Sequence, residues 1–167
     1  MSASADGGAD ALWTFATAFY ARAGIEPALL HLQDERDLDV PVLITLLYAG
    51  RQGLVLSGEE LDAMLALAAN WQTKAIAPLR IARRALKPPE GTVTDLAQEA
   101  LRRRIKEAEL GAEHLLLTRL EALLPPQQSP EPGKAGRLNL IAYLKAVGLP
   151  PDLAEFELLI EESLKAR

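Results

Sequence analysis

The residues best suited to chemistry in this chain are charged and regularly spaced. Arg80, Arg83, Arg84 and Lys87 stand at offsets 0, 3, 4 and 7, which puts four cations on one face of a helix. Arg102, Arg103, Arg104 and Lys106 form a second basic cluster, partly offset by Glu99, Glu107 and Glu109 at helical pair spacings. Between Arg80 and Lys106 there are eight basic residues and three acidic ones, in a chain whose net charge is −5. A basic stripe on a helix has three readings. Its arginines pair with acids of a neighbouring helix, Glu99 lying opposite if residues 87–93 form a short connection; they hold an acidic partner protein; or they follow a nucleic-acid backbone. The acidic net charge, and the distance in sequence of the aromatics that could stack on bases, rank nucleic acid below a protein partner.

A second candidate is the acidic run Asp34, Glu35, Asp37 and Asp39, with Arg36 inside it. Several oxygens in one loop suit Mg²⁺ or Ca²⁺, but the spacing matches no calcium loop, and Asp39 is also placed to cap the helix that follows. Facing the Arg80, Arg83 and Arg84 stripe, such a loop would suit a Mg²⁺-diphosphate ligand. That enzymatic reading ranks below a binding role. His31 and His114 are the only histidines, and each lacks the partners at the spacing that a triad or metal site requires. There is no glycine-rich phosphate loop, no Gly-x-Ser-x-Gly, no His-Glu-x-x-His and no Glu-x-x-His pair. With no cysteine, disulfides, thiolate catalysis and Cys-ligated metals are excluded. Catalytic, cofactor-binding and metal-ligating residues are therefore none, and the partner-binding set is Arg80, Arg83, Arg84, Lys87, Arg102, Arg103 and Lys106.

The elements that must position these groups read as all-α. The organising stretch is Val40 to Ala49, apolar on every side of a helix except at Thr45 and Tyr48. A helix with no wet face must be surrounded, and at ten residues it is too short to cross a bilayer. Asp39 or Val40 caps it, Pro41 fits its first turn and Gly50 ends it. A first helix over 10–23 carries Leu12, Phe15, Ala16 and Phe19 on one face, with Trp13 and Tyr20 to the side. Gly24 ends it and Pro27 opens a short second helix to about Glu35. Ser57-Gly58-Glu59-Glu60 has the form of a capping box and starts a helix with Leu61, Leu65, Ala68 and Ala75 at helical spacing and Trp71 near that face. Pro78 then predicts a kink near Lys74 or a break into two helices. Pro88, Pro89 and Gly91 end the basic segment, and a helix of about 30 residues, roughly 45 Å, runs from Thr94 or Asp95 to Leu124.

Domain organisation follows from composition. Residues 1–9 are small, polar and acidic, without the pattern of a signal peptide, and read as a disordered tail. Residues 10–124 form a compact bundle of about five helices around the buried central one. Residues 125–136 have hardly an apolar side chain and read as a flexible linker. Residues 137–167 give a C-terminal helical hairpin, too small to fold alone, docked on the bundle or on a partner.

Trp13 with Phe15 and Tyr20, the Leu32-Gln33-Asp34 step, Asp39-Val40, Trp71, Pro78-Leu79-Arg80, Arg83-Arg84 with Leu86-Lys87, and Glu109-Leu110 with Glu113 occur in an order that resembles a family of small uncharacterised proteobacterial proteins, over roughly residues 10–124. Pro41 stands where that family carries a polar residue such as Asn. The resemblance implies the fold and no established reaction. The functional expectation is a cytoplasmic, non-enzymatic adaptor that holds an acidic protein partner on the basic stripe, without a cofactor and away from membranes. The alternatives are an RNA- or DNA-binding accessory protein and a small helical enzyme for a Mg²⁺-diphosphate-type ligand.

Overall fold

The structure, a computed structural model, describes residues 10–89, 91–93, 95–126 and 131–165. Among them every regular element is helical: α1 (Ala11–Tyr20), α2 (Ile25–Arg36), α3 (Val40–Arg51), α4 (Gly58–Trp71), a π-helical turn (Gln72–Ile76), α5 (Ala77–Ala85), α6 (Leu96–Glu121), α7 (Pro132–Ala146), a 3-10 turn (Ala154–Phe156) and α8 (Glu157–Lys165). The expected tail, residues 1–9, and the stretch 127–130 of the expected linker lie outside the described residues.

Helix α3 is the axis of the fold. Every residue from Val42 to Gly50 is buried, and α1, α2, α4, α6, α7 and α8 all pack on it. Its start is set by Asp39, whose Oδ1 accepts a hydrogen bond from Val42 N–H at 2.9 Å, with Pro41 in the first turn where no donor is lost. Gly50 does not end the helix. Arg51 is still helical, and the left-handed residue that breaks the chain is Gly53, at φ 72°. What Gly50 provides is space: a Cβ there would lie 2.3 Å from Gly136 Cα, so the backbones of α3 and α7 meet at this point. That contact also moves the boundary of the expected linker, because residues 132–136 are already the first turns of α7.

Helix α7 lies along α3, and α8 folds back to cover both. Two polar groups of α7 tie it to the body. Asn139 is buried, donates from Nδ2 to Leu54 O at 2.8 Å and accepts at Oδ1 from Leu56 N–H at 3.0 Å, fixing the loop between α3 and α4. The Tyr143 hydroxyl accepts from Asp39 N–H at 2.9 Å.

The apolar pattern of α1 is realised by Leu12, Phe15, Ala16 and Phe19 in the core. The helix stops at Tyr20, and Gly24, at φ 81°, caps α2 instead. The capping box of α4 is closed in both directions: Ser57 N–H donates to Glu60 at 2.7 Å, and Glu60 N–H donates to the Ser57 hydroxyl at 3.2 Å. Pro78 cannot donate to the Lys74 carbonyl and its ring crowds it. The chain answers with the π-helical turn at Gln72–Ile76, so the expected kink is a widened turn and helix α5 continues beyond it.

Candidate functional site

Helix α5 leaves the body through that π turn, and it has no buried residue. Its main contacts are the π turn behind it and α6 beside it. In α6 the residues nearer the tip, from Leu96 to Ala108, are likewise not buried; burial begins at Glu109. The two helices form an arm standing off the core, with the basic residues distributed along it.

One edge of the arm turns inward. Arg83 donates from Nε to Glu109 Oε2 at 2.5 Å and from Nη2 to Glu109 Oε1 at 3.4 Å. Arg80 donates from Nε to Glu109 Oε1 at 3.0 Å and from Nη2 to Glu113 Oε1 at 3.3 Å. The Glu109 side chain is only 8% exposed. Burial pushes its carboxyl up, but the hydrogen bonds and charges of Arg83 and Arg80 outweigh burial and hold it below the ordinary carboxylate value. Glu113 goes the other way: burial raises it, and the pull of Arg80 is insufficient to reverse that.

The partner expected opposite the stripe, Glu99, is instead bound to Arg102 on its own helix, Nη1 to Oε1 at 3.1 Å. Glu99 sits in the first turn of α6, next to Gln98, whose Nε2 donates to Leu86 O at 3.0 Å just past the end of α5. Arg80 and Arg83 lie farther back on α5 and meet Glu109 and Glu113, farther along α6.

These charges sit at one end of a cleft of about 490 Å³ between α1, α2, the start of α3, α5 and α6. Trp13, Pro41, Ile44 and Leu117 give it apolar walls, while Tyr20, Gln33, Gln72 and Arg84 add polar ones. Trp13 is held from outside the cleft region by His114, stacked at 4.3 Å between ring centroids, whose Nε2 lies 2.7 Å from Asp10 Oδ1. Gln72, in the π turn, donates to Asp39 Oδ2 at 3.2 Å. Burial pushes the Asp39 carboxyl up against the lowering effect of its hydrogen bonds from Val42 N–H and Gln72. Burial, with Glu113 and Glu26 nearby, pushes the Tyr20 phenol up to about 12. Tyr20 Oη and Glu113 Oε2 make no hydrogen bond among the described residues, and both belong to cleft-lining side chains.

The basic set thus divides. Arg80 and Arg83 are paired with acids of α6, and Arg102 with Glu99. Arg84, Lys87, Arg103 and Lys106 make no ion pair among the described residues; all four are exposed, Arg84 at the edge of the cleft and the other three elsewhere on the arm. Of the acidic run, Asp39 is used as a cap, and Asp34, Glu35 and Asp37 are exposed; no group of three acidic or imidazole side chains converges among the described residues. His31 is exposed on α2 near Glu155, which pairs with Arg36. Trp71 lies outside the cleft, donating from Nε1 to Ala112 O at 2.7 Å beneath the Arg119 guanidinium. Asn139 and Tyr143 are absent from the sequence-based site, since a lone Asn or Tyr inside an amphipathic helix carries no signal of its distant partner.

Of the residues that carried the family resemblance, Trp13, Tyr20, Gln33, Arg80, Arg83, Glu109 and Glu113 converge on this cleft from four helices. The family model described as a protein of unknown function, DUF2390, matches residues 11–120, which hold the cleft and the arm and leave out α7 and α8. No curated protein and no solved structure matches the chain.

Proposed function

We propose that this chain, which belongs to the DUF2390 family, is a non-enzymatic recognition protein whose α5–α6 arm holds an acidic partner protein. The observation that carries the reading is the bareness of the arm. Val93 is 100% exposed, Leu96 85% and Ile81 67%, the three most exposed large apolar side chains among the described residues. Lys87, Arg103 and Lys106 lie on the same arm without acidic partners among the described residues. Exposed apolar side chains on the same arm as cations with no ion pair among the described residues suit a partner surface with apolar anchors and an acidic rim. The inward edge, Arg80 and Arg83, serves to fasten α5 to α6, so partner contact rests on Arg84, Lys87, Arg103 and Lys106.

Nucleic acid receives less support, because the aromatic Trp13 and Tyr20 line the cleft and not the arm. The Mg²⁺-diphosphate reading receives less still: Asp39 is engaged as a cap and Arg80 and Arg83 already have carboxylate partners. A cytoplasmic setting is part of the proposal, in keeping with a chain free of cysteine. Among the described residues no helix is long and apolar enough to cross a membrane.

The test is affinity capture from host lysate with the wild type, a Lys87→Glu/Arg103→Glu/Lys106→Glu variant and an Ile81→Ser/Leu96→Ser variant, each with and without nuclease. All five substituted side chains are exposed and lie outside the core, so melting temperatures should stay unchanged. A specific acidic protein captured by the wild type and lost in both variants is the expected result. Equal capture by all three sinks the arm as the binding surface, and a nuclease-sensitive catch would replace the protein partner by nucleic acid.

A further inference from the structure

The cleft's volume of about 490 Å³ falls in the range of small-molecule sites, and its walls are apolar with a few convergent polar groups. Trp13 is stacked on His114, and Pro41 adds an apolar pyrrolidine ring where the first turn of α3 offers no donor. Ile44 and Leu117 complete the apolar part. At the polar end the charges are nearly matched. Arg80 and Arg83 are held by Glu109 and Glu113, leaving Glu26 on α2 as the lining carboxylate, and Arg84 on α5 as the lining cation, with no ion pair among the described residues. Beside it, Tyr20 Oη can donate or accept and Glu113 Oε2 can accept, and neither has a hydrogen-bond partner among the described residues.

We propose that the cleft between α1, α2, α3, α5 and α6 binds a small molecule with an apolar, ring-bearing body and a single carboxylate, the ring against Trp13 and Pro41 and the carboxylate on Arg84. One free guanidinium fits one negative charge and can take a carboxylate through two parallel hydrogen bonds. A dianion such as a phosphate ester would have to draw Arg80 and Arg83 away from Glu109. The ring follows from the aromatic and pyrrolidine surfaces facing the space, which favour flat apolar groups. This inference shares Arg84 with the partner reading, but Trp13 and Thr17 belong to α1 and the capture experiment substitutes none of the three, so the two readings can fail separately.

The probes are 2-naphthylacetate, indole-3-acetate, 4-phenylbutyrate and decanoate, each beside its uncharged amide, titrated calorimetrically into the full chain. Saturable 1:1 binding of at least one ring-bearing acid is expected, with its amide weaker by about tenfold or more, the loss of one charge-assisted hydrogen bond. Arg84→Gln should weaken the acid by a similar factor and leave the amide unchanged. Thr17→Trp, a substitution at an exposed position on the cleft wall, should block both without lowering the melting temperature. Trp13→Ala should weaken acid and amide alike. Absence of saturable binding across the panel overturns the proposal. So does an acid that binds no better than its amide, or binding that persists in Thr17→Trp; decanoate bound as tightly as the ring acids overturns the ring requirement.

Discussion

Replacing Glu109 by Gln keeps the shape of the side chain and removes the charge that both Arg83 and Arg80 hold. Glu109 is 8% exposed, Arg83 23% and Arg80 27%, so this is a carboxylate buried under two half-wet cations. Breaking a fully buried pair by removing one partner costs about 3–5 kcal/mol, and an exposed pair contributes under about 1 kcal/mol. The guanidiniums here can recover part of their hydration, which places Glu109→Gln at about 2 kcal/mol, or about 4–8 °C in melting temperature for a chain of this size. The pH dependence sharpens the prediction. The folded-state carboxyl is held below its ordinary value of 4.5, so its contribution is complete above that value and is lost as pH falls through the lower folded-state value. Gln has no such limb. Urea unfolding followed by circular dichroism from neutral pH to about pH 3 should therefore show the gap between wild type and variant closing on the acid side. Glu113 is the control with the opposite sign. Burial raises it, so its protonated form is favoured in the fold and Glu113→Gln should be neutral or stabilising at pH 7. A Glu109→Gln penalty under about 0.5 kcal/mol at pH 7, the size expected of an ordinary surface change, would refute the idea that this carboxylate fastens α5 to α6. So would a penalty that stays constant down to pH 3.

The crossing of α3 and α7 predicts an asymmetry between two glycines. A Cβ on Gly50 would fall 2.3 Å from Gly136 Cα and 2.6 Å from Gly136 N, backbone that cannot move without parting the helices, so Gly50→Ala should destabilise by about 2 kcal/mol or more. A Cβ on Gly136 would have its nearest such contact at 3.8 Å from Gly50 Cα, and Gly136→Ala should be tolerated or gain about 0.5–1 kcal/mol from helix propensity. Thermal melts of the two variants decide it, and equal effects would contradict the crossing. Asn139→Ala strands the Leu56 N–H and the Leu54 carbonyl in the interior and should cost about 2–4 kcal/mol, read by urea unfolding; a loss under about 1 kcal/mol would mean that the loop between α3 and α4 finds other partners.

Local signals on this chain translated directly into structure. Asp39 and Pro41 start α3, Ser57 and Glu60 box α4, and Pro78 distorts the chain near Lys74, because each effect is settled within one turn of backbone. The core stripe of α1 was equally legible, since burial of Leu12, Phe15 and Phe19 needs only a helical period. What failed to show was pairing between elements. Gly50 has the same type whether it caps a helix or admits a neighbour, and its real partner, Gly136, lies in a stretch whose composition reads as linker. Likewise the Arg stripe was visible, but which of its members face inward depends on the packing of α5 against α6. The Glu99 register missed because the turn after α5 sets the first turn of α6 beside Leu86 and not beside Arg80 and Arg83. The cleft was legible only as scattered residues: Trp13, Gln33, Arg80 and Glu113 are far apart in sequence and meet through four helices.

The π turn is the element that connects these levels. It is caused by a single local defect, the missing N–H of Pro78, yet it supplies Gln72 to Asp39 and sends α5 out along the edge of the cleft. An uninterrupted α-helix would carry one residue fewer in that turn, rotating all of α5 by about 100° about its axis. The inward edge that now carries Arg80 and Arg83 to Glu109 would then present a different set of side chains to α6. The ion pairs, the cleft's polar end and the outward position of Ile81 thus share one cause, which is why the same proline serves both the binding cleft and the exposed arm.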